Sequence, residues 1–89
     1  MKPLFLPEEQ KKEKQVELCD IVVYNDDVHT FAFVIEALMD ICGHDQIQAE
    51  QCTHLIHYKG KCGVKRGTFL ELKPKCEALI DKGLSATIE

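Results

Sequence analysis

Residues 18–27 read Leu18-Cys19-Asp20-Ile21-Val22-Val23-Tyr24-Asn25-Asp26-Asp27, and the fold turns on how this stretch behaves. Its first seven residues are nearly continuous in apolar character and rich in β-branched side chains, the pattern of a central strand. The short polar side chains after them favour a turn over ladder pairing, so the strand ends at Tyr24. Just beyond, Phe31, Val34, Ile35, Leu38 and Cys42 recur at helical spacing, with His29 or Thr30 as N-cap and Gly43 as the C-terminal stop.

Working outward, a second helix opens at Asp45, with Gln48 three residues on as in a capping box. It buries Ala49, Cys52, Leu55 and Ile56 and stops at Gly60. Residues 61–67 hold two glycines and read as a short exposed strand or hairpin segment. Thr68 and Glu71 form another capping-box pair, opening a helix with Phe69, Leu70, Leu72, Cys76, Leu79 and Ile80 as its apolar positions. Pro74 removes a hydrogen bond six positions past that cap, so the third helix is kinked there or starts there. Gly83 ends it, and residues 84–88 alternate as a last strand. The order is β-α-α-β-α-β: an α+β fold with a small three-stranded antiparallel sheet packed against three helices.

Upstream, residues 1–16 carry Pro3, Pro7 and a charged run, and read as a mobile N-terminal extension to a domain over 17–89. With 89 residues the chain builds one core at most. It has no apolar run long enough to span a membrane and nothing like a signal peptide, which points to a cytoplasmic protein. Five cysteines without pairing pattern fit reduced, mostly buried thiols.

Charge is unevenly spread. Eleven Lys and Arg against fifteen Asp and Glu leave −4, but residues 17–58 hold eight acids and no Lys or Arg. The bases gathered at Lys59, Lys61, Lys65 and Arg66 have only Tyr58 beside them, too few aromatics for a nucleic-acid surface. The acidic half is either a solvated face or a site for a cation.

Among side chains that carry chemistry, His54 and His57 share a helix face with Cys52 just before them. No Cys-x-x-Cys accompanies them, so a structural zinc site lacks its usual spacing. No Cys-His pair is singled out for nucleophilic catalysis, and so small a domain has little room for a deep cleft; an enzyme is not expected. Asn25-Asp26-Asp27 before a helix is a turn by default, yet two carboxylates beside an already capped terminus invite a positive ligand. His57-Tyr58-Lys59-Gly60 closes the second helix, where a histidine complements the dipole.

At Ile21-Val22-Val23-Tyr24-Asn25-Asp26-Asp27, Phe33-Val34-Ile35, Ile56-His57-Tyr58-Lys59-Gly60-Lys61 and Cys62-Gly63-Val64 the chain resembles ClpS, the adaptor family of the bacterial Clp protease. The resemblance covers about residues 17–89. It implies a non-catalytic adaptor, without cofactor, that binds substrates by an N-terminal Leu, Phe, Tyr or Trp and passes them to a Clp-family AAA+ unfoldase. It assigns the grip on the substrate α-amino group to Asn25, Asp26 and His57. The side-chain pocket falls to Phe31, Val34, Thr53, Ile56 and Leu84, with Asp27 and His29 at the rim. A free α-amine, with a reference pKa near 8, is a three-donor cation at neutral pH, which suits the base-free segment.

Some positions depart from the family pattern. Where the family usually has Thr-Pro-Met, this chain has His29-Thr30-Phe31, and Thr53 replaces a second pocket methionine. The resemblance also implies an ATPase contact made by an acid and a base on the third helix, here Glu71 and, as the nearest base, Lys75, together with a delivery role for the N-terminal tail. Two rival readings are a docking module of the same fold with altered selectivity, and a metal or thiol protein using His54, His57 and Cys52.

Overall fold

The computed structural model describes residues 17–89, and the extension expected over 1–16 lies outside them. The elements are β1 (Cys19–Tyr24), α1 (Phe31–Cys42), α2 (Gln46–Lys59), β2 (Lys61–Gly67), α3 (Phe69–Asp81) and β3 (Ser85–Ile88). The three strands form one antiparallel sheet in the order β2-β1-β3, the architecture expected. The apolar run becomes the central strand, with Ile21 and Val23 almost fully buried.

Each helix turns one narrow stripe to the sheet. In α1 this is Val34, Ala37, Leu38 and Cys42; in α2 Ala49, Thr53 and Ile56; in α3 Leu72, Cys76 and Leu79. These stripes correct the expected buried sets: Leu55, Phe69, Leu70 and Ile80 lie off them and are at least 44% exposed. Leu18 is also exposed, and β1 begins one residue later.

Local chemistry fixes the helix ends. Thr30 and Asp45 accept the N–H groups of Phe33 and Gln48, and the cap of α1 is therefore Thr30, not His29. Of the capping box expected at Asp45 and Gln48 only the Asp45 half forms, whereas Thr68 and Glu71 complete theirs. Pro74 neither starts nor interrupts α3. The carbonyl that loses its partner belongs to Leu70, on the exposed face of the helix and not in the core.

Two contacts outside the ladders lock the helices to the sheet. Gly60, at φ 94°, reverses the chain from α2 into β2, a conformation that a side chain would strain, and its carbonyl accepts the Asn25 N–H at 2.9 Å. Buried His44 donates Nε2–H to the Val64 carbonyl at 2.6 Å, tying the α1–α2 turn to β2.

Candidate functional site

The end of β1, the start of α1, the end of α2 and the residue before β3 meet at one cavity. Its floor and walls are Val23, Val34, Thr53, Ile56 and Leu84, all buried, with Phe31 at the edge. Its polar side is formed by Tyr24, Asn25, Asp26, His29, Thr30 and His57. The space between them is about 310 Å³ with the open mouth included, but only about 20 Å³ is wide enough to admit a water molecule. That is room for about one water, so any large side chain enters only if a wall yields.

Nine of the ten residues assigned to amine grip, pocket and rim line this cavity. Asp27 does not: it is exposed, with φ 61°, and its carboxylate accepts Asn25 Nδ2–H at 3.0 Å. A non-glycine residue in that region is held by its neighbours, here by the Asn25 side chain, whose oxygen also accepts the Asp27 N–H. Val23, Tyr24 and Thr30 also line the cavity. Local sequence rules give them only strand and cap roles, although their adjacency to Asn25 and Phe31 is the available signal.

The Gly60–Asn25 bond brings the Asn25 end of β1 against the end of α2 that carries His57. Asp26 is pre-oriented. Its Oδ1 accepts the N–H groups of Val28 at 2.9 Å and His29 at 3.3 Å, and its Oδ2 accepts His29 Nδ1–H at 2.7 Å. Burial pushes the Asp26 carboxyl up, but these hydrogen bonds outweigh it and hold the group below the ordinary carboxylate range. The His29 ring is locked in turn by stacking on Phe33 at 4.7 Å. A Cβ built on Gly83 would lie 3.1 Å from its Nε2, so glycine at this position leaves the ring room that a side chain would crowd.

Thr53 spends its hydroxyl proton inside the helix, donating to the Ala49 carbonyl at 2.7 Å. No free donor is therefore presented to the pocket from this position. Tyr24 donates its hydroxyl to the Glu89 carboxylate at the sheet edge.

Elsewhere, Glu71 and Lys75 share a groove with Lys65, Arg66 and Leu72. The Glu71 carboxylate accepts the Thr68 N–H, and that bond, first of several, lowers its pKa. Among the described residues no group of three or more His, Cys, Asp or Glu side chains converges as metal ligands would. The rings of His54 and His57 pack on Phe31 and Tyr58. Burial, then a hydrogen bond with Cys62, pushes the Cys52 thiol up to about 12, the reverse of an activated thiolate. No helix among the described residues is long and apolar enough to cross a membrane.

A β-α-α-β-α-β domain with carboxylate, amide and imidazole around the mouth of an apolar hole has the form of a small binding module. The chain belongs to the ClpS family: the model described as ATP-dependent Clp protease adaptor protein ClpS matches residues 14–87. Family membership makes it a Clp protease adaptor in class. It is 33% identical over 75 residues to the ATP-dependent Clp protease adapter protein ClpS of Edwardsiella ictaluri, covering 82% of this chain and 71% of that one. With the Campylobacter jejuni ClpS it shares 38% identity over 58 residues, 63% of this chain and 60% of that relative's length. In fold it matches ClpS2 of Agrobacterium tumefaciens, solved bound to L-phenylalaninamide, with TM-score 0.77 and 21% identity over 84% of this chain and 98% of that one.

Proposed function

We propose that this protein is a non-catalytic adaptor that holds substrates by a hydrophobic N-terminal residue, Leu, Phe, Tyr or Trp, and presents them to a Clp-family AAA+ unfoldase. One observation carries the reading: Asn25, Asp26 and His57 meet on the same cavity as Phe31, Val34, Thr53, Ile56 and Leu84. The L-phenylalaninamide in ClpS2 joins a free α-amine to an aromatic side chain, the chemistry this cavity suits. The ammonium donates to Asn25, to the Asp26 carboxylate and to His57, while the first side chain fills the hole. Hydrogen bonds to charged groups contribute about 1.5–3 kcal/mol each, and burying a large apolar side chain about 1.5–3 kcal/mol. Neither half alone gives useful affinity.

Residues 17–89 form the adaptor domain in this reading, and residues 1–16 act in delivery. Glu71 and Lys75 face the unfoldase. The test is a peptide pair differing only in N-acetylation. The free-amine Leu or Phe peptide should bind and its acetylated twin should not, because acetylation removes the cation and two donors. Equal affinity for both discards the clamp.

The narrowness of the hole favours a second reading, a docking module of the same fold whose selectivity is altered by His29, Phe31 and Thr53. Titration with peptides varied at the first residue separates the two.

A further inference from the structure

Four rings close a cycle beside the cavity. Phe31 meets His54 edge-on, centroids 5.5 Å apart and planes at 85°, and meets His57 at 5.1 Å and 69°. Tyr58 stacks on His54 at 5.2 Å and 26°, and meets His57 edge-on at 4.9 Å and 89°. Phe31 and His57 line the cavity; His54 and Tyr58 do not.

Since only about 20 Å³ admits a water molecule, a large side chain must displace a wall. Val23, Val34, Thr53, Ile56 and Leu84 are less than 9% exposed and packed in the interior, where close packing leaves little play. His29 is held by Asp26 and Phe33, and Thr30 is committed as the helix cap. Phe31, by contrast, is 36% exposed and is the first residue of α1. With no preceding helical turn to crowd it, its χ1 is freer than at an interior helix position. Among the apolar walls the one free to yield is therefore Phe31, and its resting position is set by the rings it leans on.

We infer that His54 is a positioning residue for Phe31: braced by Tyr58, it holds the Phe31 ring against His57 and so sets how readily, and for which first side chains, the pocket opens. This rests on the reading of the cavity as an N-terminal-residue pocket. An edge-on aromatic contact of this kind corresponds to roughly two- to tenfold in an equilibrium or rate. Losing it frees the ring without removing any group that touches the ligand.

Stopped-flow binding of fluorescent peptides beginning Phe or Ile tests this. In His54→Ala both association and dissociation of the Phe peptide should accelerate by roughly two- to tenfold, and discrimination against Ile should fall. His54→Phe keeps a ring edge at that place and should restore wild-type rates; Tyr58→Ala should shift the rates in the same direction as His54→Ala. His54 is exposed, and circular dichroism checks that each variant is folded. Wild-type binding with unchanged rates in His54→Ala, or no rescue by His54→Phe, overturns this inference alone. A wild-type protein that binds no free-amine peptide overturns the proposed function and this inference with it.

Discussion

Both oxygens of Asp26 are engaged before any ligand arrives, Oδ1 by the Val28 and His29 N–H groups and Oδ2 by the His29 ring. A carboxylate with four or so acceptor directions has capacity left for an ammonium, and its orientation costs nothing further on binding. Asp26→Asn removes the charge but keeps the shape. Affinity for a free-amine Phe peptide should fall by roughly 10- to 100-fold, the worth of one charged hydrogen bond, with the fold retained by circular dichroism. Because the folded pKa of Asp26 is depressed, its contribution to stability is complete above its unfolded value. That contribution is lost only as pH falls below the unfolded value and through the lower folded one. The affinity ratio of wild type to Asp26→Asn should then be flat between about pH 5 and 7. It should shrink above about pH 8, where the peptide amine itself loses its proton. A ratio that collapses between pH 7 and 5 would contradict this assignment.

Element ends are legible in the sequence because caps are local chemistry: Thr30, Asp45, Thr68, Gly43 and Gly60 act where their side chains or their lack of one dictate. Faces are less legible. Leu55, Phe69, Leu70 and Ile80 are apolar and helical but sit off stripes that only one side of each helix turns to the sheet, and composition does not reveal which side that is. Pro74 resists reading for a related reason, since its cost depends on whether the carbonyl it strands is wet. Leu70 is exposed, so the helix tolerates Pro74 at reduced stability. Pro74→Ala should raise unfolding stability by on the order of 1–3 kcal/mol, and Thr68→Ala should lower it by about 1 kcal/mol through the lost cap. Urea midpoints read both, and neither should alter peptide affinity, because neither residue reaches the cavity.

At the scale of the molecule, the apolar run of β1 announces a central strand, and the sheet order β2-β1-β3 puts it there. What local sequence rules do not announce is that the clamp residues depend on a long-range contact, the Asn25 N–H on the Gly60 carbonyl, since neither residue type signals the other. Only the resemblance to ClpS brings the two segments together where those rules are silent. The cavity therefore draws on β1, α1, α2 and the approach to β3 at once, and it exists only while these four pack together. A ligand that binds this assembly and not the unfolded chain must stabilise the whole domain by mass action. At a free concentration one hundred times Kd the gain is about 2.7 kcal/mol. For a domain of this size each kcal/mol moves the melting temperature by roughly 4–8 °C, so a free-amine Phe peptide should raise Tm by on the order of 10–20 °C. The acetylated peptide at equal concentration should leave it unchanged. A free-amine peptide that binds yet does not shift Tm would mean that it docks on a surface surviving in the unfolded chain, and the four-element cavity would not be its site.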